Sequence, residues 1–210
     1  MTGDLPSMLV RMADQMGISL SKPISDVLVK FIGHIVKWNN KTNLVSRKTS
    51  GHGEVLRQVL DSLSLLRLGI EPDTRITDVG SGIGVPGMVL AVVRSDCRVR
   101  LVDSGERVCV LARRMAGLLD LQNVEVFQRY FPRDMDGIAK DTDFFVSKAF
   151  LSPPKWLAGI DRIVMHGTRV VVMTSRGDLQ VPDDMRILKN DEFRLPGTNI
   201  TRRNLLVEKL

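Results

Sequence analysis

Asp78-Val-Gly80-Ser-Gly82-Ile-Gly84-Val-Pro-Gly87, preceded by the strand-like Arg75-Ile-Thr, decides the fold of this 210-residue chain. The β-branched run predicts a strand ending near Val79, and the residues from Pro86 to Val93 predict a helix, so the glycines form the turn between them. Glycines there allow tight backbone angles and close approach by a ligand, while free amides at the helix start offer hydrogen-bond donors. A second strand, Arg98-Val-Arg-Leu-Val-Asp103, ends about twenty residues further on in a carboxylate able to accept both hydroxyls of a ribose. Strand, glycine turn, helix, strand and acid, in that order, predict a nucleoside-containing ligand, with a purely structural turn as the alternative.

Outward from this unit the alternation continues. Helix Glu106–Leu119 leads to Asn-Val-Glu-Val-Phe127, then Asp-Phe-Phe-Val-Ser147, then Thr-Arg-Val-Val-Val-Met173, which predicts a mostly parallel, Rossmann-like α/β sheet with right-handed crossovers. After Met173 the pattern turns strand-like without long helices. Met185–Leu188 and Asn204–Glu208, separated by Leu-Pro-Gly-Thr-Asn199, predict an antiparallel hairpin at the sheet edge. The first seventy residues read as helical: a short amphipathic segment near Ser7–Gln15, a helix Pro23–Lys37 and a third from about Glu54 to Leu68 with Gly69 at its end. The expected organisation is therefore a helical cap over 1–70 and a ligand-binding core over 71–210, packed as one globular unit.

Composition narrows the function classes. Hydrophobic residues make up 43% and charged residues 26%, near the averages of folded globular proteins, which argues against a disordered or fibrous chain. The apolar runs are too short to span a bilayer, and Asp4 and Pro6 interrupt any secretory signal pattern, so the cytoplasm is the expected compartment. Cys97 and Cys109 form no CxxC pair, so neither a disulfide framework nor a metal site is expected. Thirty Lys and Arg against 24 Asp and Glu, a net charge of +6, favour a polyanionic partner.

An S-adenosylmethionine site and a dinucleotide site both use this turn. Asp78, two residues before the first glycine, suits a ligand with a cationic amino-acid end and would repel a pyrophosphate, so S-adenosylmethionine is the expected cofactor. The antiparallel end of the sheet agrees. A nicotinamide-dependent oxidoreductase is the remaining alternative for the same turn, but it lacks a hydride-transfer constellation.

The stretches WNNKTNLVS, VLDSLSLLRLG, ITDVGSGIGVPGMVLAVVR, VRLVDSGERVCVLAR and FFVSKAF, in that order and spacing, resemble the bacterial small-subunit ribosomal RNA methyltransferase G family, also called glucose-inhibited division protein B. The likeness runs from about Trp38 to Phe150, and TRRNLLVEKL resembles the family's closing strand. It implies a class I methyltransferase fold, S-adenosylmethionine as methyl donor and N7 of a guanine in small-subunit (16S) ribosomal RNA as acceptor. Residue by residue, it implies that Gly80 and Val85 line the methionine and sulfonium region and that Asp103 holds the ribose; Asp78, Gly82, Gly84, Ser104, Tyr130, Phe131 and Lys148 complete the expected cofactor-binding set. Tyr130 and Phe131 stand where the family has alanine and glutamate near the adenine, Lys148 replaces a usual arginine, and Gln58 replaces a usual histidine. These departures define the alternative of a catalytically impaired S-adenosylmethionine- and RNA-binding homologue.

Guanine N7 carries a free lone pair and no proton, so its methylation needs alignment more than a general base. This fits the absence of a Ser/His/Asp or Cys/His constellation in the sequence: His34, His52 and His166 are scattered, and none is assigned a role. Lys148 is the one candidate for positioning the substrate. Asp61, an acid in an otherwise apolar helix, either orients the glycine turn or faces solvent. Asn39 and Asn43 flank Lys41, either ending the helix or contacting RNA. The candidate RNA surface is Lys37, Lys41, Arg47 and Lys48 from the cap, with Arg129, Arg133, Lys148, Lys155, Arg202 and Arg203 from loops at the ligand end. One Tyr and 5% aromatic residues argue against extended base stacking, leaving Trp38, Tyr130 or Phe131 to stack a single base. The expected partner is small-subunit RNA or the small ribosomal subunit, engaged by a monomer without metal or membrane contact.

Overall fold

A computed structural model describes residues 5–42, 51–175 and 179–210, with the side chains of 39–42 excepted. Three helices, α1 (Leu5–Asp14), α2 (Lys22–Thr42) and α3 (His52–Leu63), precede an α/β core of β1 (Arg75–Val79), α4 (Gly87–Val93), β2 (Arg98–Asp103), α5 (Glu106–Leu118), β3 (Val124–Gln128), β4 (Phe144–Val146), α6 (Pro153–Ile160), β5 (Arg169–Thr174), β6 (Met185–Arg194) and β7 (Thr201–Lys209). The seven strands lie in the order β3-β2-β1-β4-β5-β7-β6. The first five run parallel, and β7 enters antiparallel between β5 and β6.

This order follows from the sequence pattern. Residues alternate between the two faces of a strand, and in the central strands β4 and β5 both faces are buried, so these are nearly continuous apolar runs, while the edge strands β3 and β6 are partly exposed and mix polar with apolar residues. On β4, Phe144 and Val146 enter the core on the side of the helical cap, while Phe145 enters the core on the side of α6. Val171 and its neighbours Val170 and Val172 divide in the same way on β5. Leu28 and Phe31 of α2 share one core with Ile76 and Leu101, so the cap helices pack on the sheet.

Two elements differ from the pattern. The helix expected over 54–68 ends at Leu63, and Ser64–Leu68 continues as a 3-10 helix before Gly69 closes it at φ 75°. Ser64 Oγ donates to the Asp61 carbonyl at 2.6 Å and accepts from Asn204 Nδ2 at 2.7 Å, so a side chain competes with the helix backbone at the break. The eight-residue helix α6 is not among the helices that hydrophobic periodicity predicts, although Ser152 followed by Pro153 and Pro154 is a helix-start signal. Its Trp156 is buried, and the indole donates to the Val171 carbonyl at 2.9 Å, pinning α6 to β5. His52 opens α3 and does not lie in a loop. Asn43, Arg47 and Lys48, and the side chains of Asn39 and Lys41, lie outside the described residues.

Candidate cofactor and substrate site

The glycine turn leaves β1 at the carboxyl end of the sheet, beside the order reversal where β1 is flanked by β2 and β4. Gly80 and Ser81 donate their amides to the Val102 carbonyl at 2.8 and 3.1 Å, which holds the turn against the end of β2. Gly80, Gly82 and Gly84 all have positive φ, a conformation that side chains rarely adopt. A Cβ on Gly80 would also overlap the ring of Phe150.

Asp103 closes the turn from the second strand. Its Oδ2 accepts the Gly82 N–H at 3.0 Å, and its Oδ1 accepts the Gly105 N–H at 2.9 Å. Each carboxylate oxygen retains acceptor capacity, so the residue fits a ligand offering two hydroxyls. Ser104 is exposed next to it, and its carbonyl accepts from Gln128 Nε2 at 3.2 Å. Val85 is buried beneath the turn.

Asp78 does not stand at the surface of the turn, where an acid facing a cationic ligand would be expected. It is fully buried, with Oδ2 accepting the Gly87 N–H at 2.8 Å at the start of α4 and Oδ1 without a hydrogen-bond partner among the described residues. Burial pushes its carboxyl up to about 7, against the lowering effect of the Gly87 amide and the Lys148 charge. Two residues before Gly80 and bonded to the Gly87 amide, it holds the turn from within the core.

The residues after β4 form the second half of the site. Phe150 lies over Gly80, and Phe131 meets it edge-on at 6.0 Å while packing against Trp156 at 5.3 Å. Tyr130 points away to solvent, with the Arg133 guanidinium 5.2 Å over its ring. The two residues expected side by side near an adenine thus diverge, because Phe131 is drawn into an aromatic cluster against α6.

Lys148 Nζ stands 3.7 Å from Asp61 Oδ2, and Arg202 Nε stands 3.7 Å from Asp61 Oδ1. Asp61 is buried, so it does not face solvent; it faces these two cations. Burial raises the Asp61 carboxyl, opposed by both cations, and burial lowers the Lys148 ammonium. These three residues line a cavity of about 340 Å³ with Ala149, Leu151 and Asn204. Such a volume lies within the range of small-molecule sites. Lys148 is the link between the two halves, since its charge also acts on Asp78 beneath the turn. Gln58 sits one helical turn before Ser62, whose hydroxyl donates to its carbonyl at 2.7 Å.

Among the remaining cationic candidates, Lys37, Arg129, Arg133 and Lys155 are exposed. Arg129 lies 3.8 Å from Asp134, and Arg203 donates to Asn190 Oδ1 at 2.6 Å while lining the same cavity as Arg202. Trp38 borders Gly82 and Ile83, which places the end of α2 beside the turn. Sequence reasoning did not find the Asp61–Arg202 pairing or the Phe131, Phe150 and Trp156 cluster. Only the cost of burying an acid in an apolar helix hinted at the first.

A seven-stranded sheet with its last strand inserted antiparallel, a glycine turn after β1 and an acid ending β2 define the class I methyltransferase fold. Solved structures agree on the fold: TrmN from Thermus thermophilus superposes with a TM-score of 0.59 at 21% identity, covering 72% of this chain and 49% of that one. A variant of MtNAS in complex with S-adenosylmethionine gives 0.57 at 19% identity over 97% of this chain and 77% of its own. The chain belongs to the GidB family, rRNA small subunit methyltransferase G, whose pattern it matches over residues 24–186. Relatives include the ribosomal RNA small subunit methyltransferase G of Geotalea uraniireducens, 29% identical over 97% of this chain and 96% of the relative. That of Ectopseudomonas mendocina is also 29% identical, over 96% and 94%.

Proposed function

We propose that this chain is an S-adenosylmethionine-dependent methyltransferase that modifies N7 of a guanine in small-subunit (16S) ribosomal RNA. The observation that carries this reading is the glycine turn tied at Gly82 to the acid ending β2, in a chain of the GidB family. Asp103 would hold the ribose, the Gly80–Gly84 turn would receive the methionine and sulfonium end, and Phe150 with Phe131 would wall the turn from water. Bound there, S-adenosylmethionine supplies a methyl group made electrophilic by its sulfonium. The chain's task is alignment: guanine N7 needs no proton removed, so a purine must be held with its lone pair in line with that methyl and with water excluded. The cavity lined by Lys148, Asp61 and Arg202 is the place for that purine.

The helical segment 1–70 is read as a cap on the 71–210 core. The shared core of Leu28, Phe31, Ile76 and Leu101 supports this, as does Trp38 beside the turn. Lys37, Arg129, Arg133, Lys155 and Arg203 are read as the phosphate-contacting surface, working in the cytoplasm on RNA or the small subunit. No helix among the described residues is long and apolar enough to cross a membrane.

The test is transfer of labelled methyl from S-adenosylmethionine to small subunits and small-subunit RNA lacking the modification, with the product mapped by mass spectrometry. N7-methylguanine is the expected product. Calorimetric binding of S-adenosylmethionine without incorporation into either acceptor would overturn the assignment of substrate.

A further inference from the structure

The cavity beside the glycine turn is lined by an unusual mixture of charges. Asp61 offers only acceptors, while Lys148 Nζ and Arg202 Nε, each 3.7 Å from it, offer only donors. The Arg202 Nε–H is buried and has no hydrogen-bond partner among the described residues, so the ion pair leaves it a donor to spare. A phosphate presents acceptors alone and would be opposed by the Asp61 carboxylate. A group with neighbouring N–H and C=O matches both halves of the cavity.

Guanine carries such an edge: O6 accepts, while N1–H and the N2 amino group donate. Adenine lacks it, having an acceptor at N1 and a donor at N6. Gripping guanine by N1–H and N2 leaves N7 on the far side of the purine, free to face another part of the site. The chain supplies the matching layout, because Ala149 and Leu151 line the cavity while Phe150 between them lies over Gly80.

Resting on the guanine-N7 reading above, we infer that Asp61 is the specificity residue for the target base: its carboxylate accepts N1–H and the N2 amino group, and Lys148 or the Arg202 Nε–H donates to O6. Methylation at N7 leaves the purine positively charged, and a carboxylate against N1–H opposes that charge as it develops. Two incoming N–H donors also replace the water that Asp61 gives up on burial, which offsets the desolvation that raises its carboxyl. A site built to bond a particular N–H discriminates strongly against an analogue lacking it, because its own polar group is then left unpaired.

The experiment compares the wild-type chain with Asp61→Asn on a small-subunit RNA fragment carrying either guanosine or inosine, which lacks the N2 amino group, at the methylated position. The wild type is expected to lose about tenfold to hundredfold in kcat/KM on inosine, the size of one lost charge-assisted hydrogen bond. Asp61→Asn is expected to lose a similar factor on guanosine, to bind S-adenosylmethionine as the wild type does, and to show almost no remaining preference for guanosine over inosine. A merely structural Asp61 would slow both substrates alike and keep the ratio, which overturns the inference. Equal rates of the wild type on the two substrates overturn it as well, and that comparison stands even if the variant does not fold. If the wild type makes no N7-methylguanine at all, the reading of the reaction fails and the base assignment with it; if it does and only the inosine ratio is flat, the base assignment alone falls.

Discussion

Asp103 Oδ2 accepts a hydrogen bond from the Gly82 amide at 3.0 Å, so the acid that ends β2 is fastened to the turn that leaves β1. One carboxylate therefore shapes the turn and, on the proposed function, would also hold the ribose. Replacing Asp103 with Ala is expected to weaken S-adenosylmethionine binding by about one to two orders of magnitude, the scale of one or two charge-assisted hydrogen bonds. Calorimetry on a variant whose circular dichroism matches the wild type checks this, and unchanged affinity would remove Asp103 from the ribose.

Gly87 and Gly33 predict opposite outcomes for the same substitution. A Cβ on Gly87 would overlap Leu101 and come within 2.9 Å of Asp78 Oδ2, in the packed start of α4. Gly87→Ala should destabilise by roughly 1–3 kcal/mol. Gly33 lies inside α2 with nothing within 4 Å of a Cβ, so Gly33→Ala should stabilise by up to about 1 kcal/mol. Urea denaturation of the two variants tests both signs.

The buried Asp78 predicts a pH dependence. Its carboxyl sits near 3.8 unfolded and is pushed up to about 7 when folded, so between these values the native state keeps a proton that the unfolded chain releases. Stability contributed by this group therefore falls as pH rises from about 4 to 7. Asp78→Asn should remove that slope, and comparing melting temperatures of wild type and variant at pH 5 and pH 8 isolates it from other titrating groups. Parallel profiles would contradict the burial argument.

Arg67 joins three elements. Its Nε and Nη2 bond Asp191 on β6 at 2.9 and 2.8 Å, and its Nη1 donates to the Met16 carbonyl after α1 at 2.7 Å. Asp191 is only 7% exposed, so Arg67→Ala strands a buried carboxylate. A loss of about 2–4 kcal/mol is expected in equilibrium unfolding, reduced from the fully buried case by the partial exposure of the arginine. A loss below about 0.5 kcal/mol would show that water satisfies Asp191 instead.

The basic surface predicts a steep fall of RNA affinity with added salt. Arg133→Ala should weaken binding by a similar factor across RNA sequences and make the logarithmic salt slope shallower by about one. Filter binding at several salt concentrations measures both, and an unchanged slope would place Arg133 outside the interface.

Much of the fold was legible because its signals are local. The strand, glycine turn, helix and strand from Arg75 to Asp103, the parallel alternation and the closing hairpin all follow from periodicity and from residues within a few positions of one another. The break at Ser64 was not legible, because it depends on Asn204, 140 residues away. Helix α6 carried a start signal but too short an apolar pattern to stand out. For the site, the chain order announced the turn and the acid that follows it, while Lys148 was singled out only by the family resemblance.

The sequence by itself determined the kind of sheet, the position of the turn and the presence of unpaired chemical groups, since backbone angles and side-chain periodicity are properties of neighbouring residues. Only the tertiary structure decided which of those groups meet. Placing β4 next to β1, and inserting β7 beside β5, brings Arg202 and Lys148 to opposite sides of Asp61 and sets Phe150 over Gly80. The same packing sinks Asp78 beneath the turn, where burial, and not its place in the motif, sets its charge.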